Sequence, residues 1–120
     1  MTTVSPGKLV LLQDLIQDPQ RYDNTSIRIT GRLVNFQPAN NIAIIEYKQS
    51  SLQLDTELID IGMNTGTMVQ CIGEVKYDQQ LGQLVLKPRI IRDVDSLDMN
   101  LFEKTVLLRQ QHEQTTYPSS

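Results

Sequence analysis

The sequence has no tryptophan, one cysteine and one histidine among its 120 residues. Each shortage closes off chemistry. A lone Cys71 cannot form an internal disulfide, which points to a reducing compartment, cytosol or nucleus. Cys71 and His112 cannot supply the three or four ligands of a zinc site. A Cys–His nucleophilic pair would need an exposed thiol, yet Cys71 shares a face with Val69 and Val75. The phosphate-binding G-x-x-x-x-G-K, dinucleotide G-x-G-x-x-G and nucleophile-elbow G-x-S-x-G patterns are all missing. Carboxylates Asp93, Asp95 and Asp98 cluster in a turn before a helical stretch, where they favour the helix N-terminus. No enzyme activity, catalytic residue, metal or cofactor is therefore expected.

Long apolar runs are also missing, and nothing approaches the roughly 20 residues of a membrane span. The opening Met1-Thr2-Thr3-Val4-Ser5-Pro6 has no basic region followed by an apolar stretch, so no secretory signal is expected. Excess positive charge is lacking too. Eleven Lys and Arg face 14 Asp and Glu, a net charge of −3. Free-standing nucleic-acid binders usually carry a basic footprint. Any nucleic-acid contact here is expected to be local, or shared with a partner that carries the charge.

What is present is β-alternation. One domain over residues 1–120 is expected, with a barrel over about 26–93 and a terminal helix over about 99–114. Residues 8–17 place Leu9, Leu12, Leu15 and Ile16 at helical spacing, although Val10 and Leu11 allow an extended start. Asp18-Pro19 marks a stop. In 26–36, Ile27, Ile29, Gly31 and Leu33 alternate with Arg28, Thr30 and Arg32, the signature of a half-buried strand. Strands follow at about 42–47, at 52–61 with Leu52, Leu54, Thr56 and Leu58 on one side, at 67–77 and at 84–93. Gly31 and Gly73 lie mid-strand, which predicts a bulge or bend. Pro88 demands an edge or a bulge. Five short strands must hide one apolar face, and closing them removes the edges. An all-β, five-stranded barrel of the oligonucleotide/oligosaccharide-binding (OB) type, with N-terminal and C-terminal helices, is expected. A small sandwich or SH3-like barrel is the competitor.

The last helix is unusually apolar. At about 100° per residue, Leu97, Leu101, Thr105 and Leu108 form one stripe beside Met99, Phe102 and Val106, with Leu107 on the polar side. A helix resting on one barrel needs only about a 100° face. The excess predicts a second protein on Met99, Leu101, Phe102, Thr105, Val106 and Arg109. The alternative is a helix buried wholly within its own domain.

Nucleic-acid signals are sparse. OB barrels bind single strands between loops and stack bases on aromatic rings. Arg28, Arg32, Tyr47, Lys76, Tyr77, Lys87 and Arg89 are the candidates. Phe36 and Arg92 lie nearby, and Tyr77 is equally readable as core.

Thr30-Gly31-Arg32-Leu33, the run 69–75 (Val-Gln-Cys-Ile-Gly-Glu-Val), Val85-Leu86-Lys87-Pro88-Arg89 and Asp98-Met99-Asn100-Leu101 together resemble the Ten subunits of CST (Ctc–Stn–Ten) telomere-capping complexes. The small subunit of replication protein A is similar in size and layout. The resemblance implies a non-catalytic OB subunit whose terminal helix packs against a Stn-type OB subunit. It also implies a third, large Ctc/Cdc-type subunit, single-stranded telomeric DNA bound through the complex, and a nuclear place at chromosome ends. The implied roles are end protection and lagging-strand fill-in by polymerase α–primase. An autonomous single-strand binder, or the small subunit of a replication protein A-like trimer, is the alternative.

Overall fold

A computed structural model describes residues 8–96 and 99–116, the last five by their backbone alone. Leu97, Asp98, the tail beyond 116 and the side chain of His112 lie outside the described residues.

Strand β1 (Lys8–Leu9) leads into helices α1 (Leu12–Gln17) and α2 (Pro19–Tyr22). The barrel is built from β2 (Thr25–Gln37), β3 (Ile42–Tyr47), β4 (Ser50–Asp55), β5 (Met68–Asp78) and β6 (Gln83–Asp93), and helix α3 (Met99–Thr116) follows. Neighbours run β2-β3-β4-β6-β5, and antiparallel pairing of β2 with β5 closes the ring. The expected five-stranded OB barrel with terminal helices is what the chain forms.

Alternation explains the barrel. Ile27, Ile29 and Leu33 of β2 point inward, as do Val69, Cys71 and Val75 of β5, and all are fully buried. Fully burying a side chain of this size contributes about 1.5–3 kcal/mol.

The N-terminal segment takes the extended start that Val10 and Leu11 left open, and then the expected helix. Lys8 and Leu9 pair parallel to Ile27 and Arg28, and the Val10 N–H donates to the Arg28 carbonyl at 3.1 Å. An open strand edge thus takes these residues before the helical pattern begins at Leu12. Val10, Leu12 and Leu15 then fill the core. Asp18 caps α1 as expected, but Pro19 opens a second turn of helix, at the position where its missing N–H costs nothing.

Two bulges shape the barrel. Pairing of β2 with β3 slips between Leu33 and Asn35, so the bend expected at Gly31 falls at Val34. Gly31 instead sits where β3 crosses closely: an added Cβ would lie 3.2 Å from Ile45 Cβ and 3.3 Å from the Glu46 carbonyl. In the second bulge Ile72 opposes Ile90 while Gly73 opposes Pro88, leaving Arg89 unmatched. Proline thus sits at a bulge, as its missing donor requires.

The strand expected over 52–61 ends at Asp55. The Asp55 carboxylate accepts the Glu57 N–H at 3.0 Å and turns the chain. Leu58, expected on the same strand face as Leu52 and Leu54, is 59% exposed. Ile59, Ile61 and Met63 of the following loop pack into the core instead.

Candidate partner and nucleic-acid surfaces

Helix α3 meets the barrel through a narrow face. Val106 is fully buried, and Met99, Phe102, Glu103 and Gln110 are partly covered. On the wheel these residues cluster on one side. Leu101 and Leu108, one heptad apart, lie on the far side and are 62% and 64% exposed. Thr105 lies between them, its hydroxyl donating to the Leu101 carbonyl at 2.9 Å. Leu107 is exposed on a flank, and Arg109 is exposed as well. The expected partner residues are thus divided: Leu101, Thr105 and Arg109 face outward, Phe102 lies at the boundary, and Met99 and Val106 are on the side turned to their own barrel.

The polar side of α3 is tied to the β3–β4 hairpin. Tyr47 Oη donates to Glu103 Oε2 at 2.9 Å, and Lys48 Nζ donates to the same oxygen at 2.7 Å. Those donors hold the Glu103 carboxyl below its ordinary range. Burial, then the bond to Glu103, pushes the Tyr47 hydroxyl up, and the same carboxylate raises Lys48. The Lys48 ammonium also stands 5.5 Å from the Tyr47 ring centre. Tyr47, expected on nucleic acid, is committed to α3.

That hairpin is strained. Tyr47 pairs with Ser50, so the turn has two central residues. Both adopt left-handed backbone, Lys48 at φ 48° and Gln49 at φ 68°. Such turns usually recruit Asn-Gly, and a left-handed residue with a Cβ costs about 1–2 kcal/mol.

Four other candidates come together. Lys76, Tyr77, Lys87 and Arg89 line a cleft of about 450 Å³ with Asp55, Leu58, Glu74 and Asp78. Tyr77 is 40% exposed, so it is not a core residue. Two of the cations face nearby acids: Lys76 lies 3.7 Å from Glu74 and Lys87 3.7 Å from Glu57. Exposed pairs like these hold their charges weakly. Arg89 has no ion pair among the described residues. A second cleft of about 270 Å³, containing Phe36, Pro38 and Asn41, shares Leu58 with the first. Leu58 thus joins two recesses beside the loops where an OB barrel takes a single strand. Neither recess was legible while Leu58 was placed on a strand beside Leu52 and Leu54.

Arg28 and Arg32 lie apart, on the outward side of β2. Arg32 Nη1 donates to the Gly66 carbonyl at 2.6 Å. Arg28 is different: its Nε, with Ser26 Oγ and Thr30 Oγ1, is buried without a hydrogen-bond partner. On β6, Arg92 gives two hydrogen bonds to Gln70 Oε1, at 3.1 and 2.6 Å. Burial pushes the Cys71 thiol up to about 12, which leaves it un-ionised and inert. Among the described residues, no three His, Cys, Asp or Glu side chains gather as a metal would need. No helix among them is long and apolar enough to cross a membrane.

Comparison with known proteins follows the same direction. A family model described as telomere-capping, CST complex subunit matches residues 3–116. The CST complex subunit TEN1 of Arabidopsis thaliana is 36% identical over 110 residues, covering 89% of this chain and 87% of that protein. The telomere capping protein Ten1 of Saccharomyces pombe superposes with a TM-score of 0.72 at 18% identity, covering 88% of this chain and 98% of that one. A chain of the S. pombe Stn1–Ten1 complex superposes equally well, at 18% identity and 91% and 96% coverage. A chain of Ustilago maydis replication protein A bound to single-stranded DNA gives 0.70 at 18% identity, covering 94% of this chain and 97% of that one. At such identities the structural likenesses show the fold.

Proposed function

Because the chain belongs to the family of telomere-capping CST complex subunits, we propose that it is a single-domain, non-catalytic OB subunit that pairs through α3 with a Stn-type OB subunit. The observation that carries this reading is the exposed Leu101–Leu108 seam on the side of α3 away from Val106. Exposed leucines one heptad apart suit a second helix laid alongside, each knob filling a hole of the partner. Phe102, Thr105 and Arg109 border that contact, and Met99 lies opposite it, on the barrel side. A third, large Ctc/Cdc-type subunit completes the assembly, which acts in the nucleus at chromosome ends, in end protection and lagging-strand fill-in.

Co-expression with a Stn-type subunit tests the pairing. Leu101→Glu combined with Leu108→Glu is expected to abolish co-purification, since truncating even one interface anchor typically costs about 2 kcal/mol, near thirtyfold in affinity. Undiminished co-purification of a folded double variant would reject the pairing.

The cleft around Tyr77 and Arg89 favours a second, compatible role: a modest contact with single-stranded DNA held mainly by the assembly. Tyr77 offers a ring for stacking and Arg89 a cation for phosphate.

A further inference from the structure

We infer that the β3–β4 hairpin is a positioning clasp: Tyr47 and Lys48 hold Glu103 and thereby set the pose in which α3 offers its Leu101–Leu108 face. The inference rests on the reading that this face takes the Stn-type subunit.

Three features carry it. First, donors from two adjacent residues converge on one oxygen, Glu103 Oε2, at 2.9 and 2.7 Å. The anchor behind them is firm, because the Tyr47 ring packs against the barrel core. Second, both turn residues are left-handed yet carry long side chains. Asn-Gly would relax this turn, but neither residue reaches α3, whereas a lysine does. The strain and the reach therefore occur at the same residue, a pairing typical of positions that serve function. Third, α3 has little other purchase on the barrel. None of its described side chains belongs to the barrel core, and among them only Val106 is fully buried. Beside the clasp, hairpin and helix stand apart across a notch of about 280 Å³ lined by Lys48, Asn100, Glu103, Lys104 and Leu107.

The geometry gives the clasp its effect. Glu103 and the Leu101–Leu108 seam lie on opposite sides of the wheel, with Val106 displaced to one side. Fixing Glu103 and Val106 together fixes the rotation of α3 about its axis, and so the direction in which the leucines point. Loosening the clasp spreads α3 over several rotations. Partner affinity then falls by the fraction of time spent in the competent pose.

The test uses the full chain, amide exchange of α3, thermal melting and calorimetric binding to a co-purifying Stn-type subunit. Lys48→Asn with Gln49→Gly keeps and relaxes the turn but removes the cation. It is expected to raise the melting temperature while α3 amides exchange about tenfold faster and partner binding weakens roughly three- to tenfold. Glu103→Gln should reproduce the α3 and binding effects. Exchanging the charges, Lys48→Glu with Glu103→Lys, should restore much of the loss. Unchanged α3 exchange in both Lys48→Asn/Gln49→Gly and Glu103→Gln would overturn the clasp. Faster exchange with unchanged partner affinity would overturn its positioning role. Leu101→Glu separates the two readings: it should lose the partner while α3 exchange stays at the wild-type rate. Retained binding by that variant condemns the partner surface, with the clasp still judged by exchange.

Discussion

Gly73 has the least room of any glycine in the barrel. A Cβ there would collide with the Lys87 carbonyl and lie 2.6 Å from Pro88 Cα, both parts of a backbone pinned by the proline ring and the bulge. Gly73→Ala is therefore expected to destabilise the chain by about 3 kcal/mol, read as a lowered midpoint in urea with little change in slope. Gly31→Ala should cost less, because its tightest neighbour, 3.2 Å away, is an isoleucine side chain. At this scale much was legible. Alternation placed Gly31, Gly73 and Cys71 on the core face, and the missing N–H of Pro88 predicted its bulge. The bulge at Val34 was not legible, since it depends on how β3 registers against β2, which local pattern leaves open. The core alternative for Tyr77 fails for a related reason: period-two alternation continues past the point where the barrel wall ends.

At the scale of elements, α3 shows what periodicity can and cannot reveal. The wheel disclosed more apolar surface than one barrel needs. Which residues face inward was not legible there, because the tie that holds α3 joins Glu103 to Lys48, 55 positions earlier. Lys48-Gln49 also lacks the glycine or asparagine that would advertise a left-handed turn. The clasp carries a pH signature. The Glu103 carboxyl is held below its ordinary value of about 4.3, so its contribution is complete above that value and is lost as pH falls through the lower, folded value. Tyr47 and Lys48 are raised, so their contribution is complete below ordinary values near 10 and is lost only as pH climbs through the higher, folded ones. Opening free energies for α3 amides, from exchange rates corrected for intrinsic pH dependence, should be flat between about pH 5 and 9. They should drop below about pH 4, and Glu103→Gln should remove the acid limb. An acid limb of equal size in that variant would assign the effect to other carboxylates. The loop after β4 is the element that sequence misjudged most. Leu52 to Leu58 alternates well enough for a strand, but the Asp55 side chain closes a turn and sends Ile59, Ile61 and Met63 inward.

For the whole molecule, charge decides what the chain can do alone. Its net charge is −3, and the cations of the Tyr77 cleft are Lys76, Lys87 and Arg89, two of them beside acids. Three phosphate contacts would give a log–log salt slope of only about −2 for a single strand. The isolated chain is accordingly expected to bind a short single-stranded oligonucleotide weakly, and only at low salt. Arg89→Ala should flatten the slope by about 0.7, one contact's worth. Fluorescence anisotropy across a salt series would show it. Submicromolar affinity at physiological salt would instead favour an autonomous binder. The fold was readable from sequence because a barrel is written in local alternation. The surfaces were harder, because each is assembled from residues far apart in the chain: Tyr47 with Glu103, and Leu58 with Tyr77 and Arg89.

That the described side chains of α3 stay out of the barrel core has one more consequence. The body of the protein can complete its collapse before α3 meets anything beyond its own hairpin, so folding and assembly are separable events. A copy that has folded without a partner keeps Leu101 and Leu108 in water. On the pairing proposed above, such a copy carries a mark by which quality control tells an orphan from a member of a complex, and the abundance of this chain should then follow the supply of its mate.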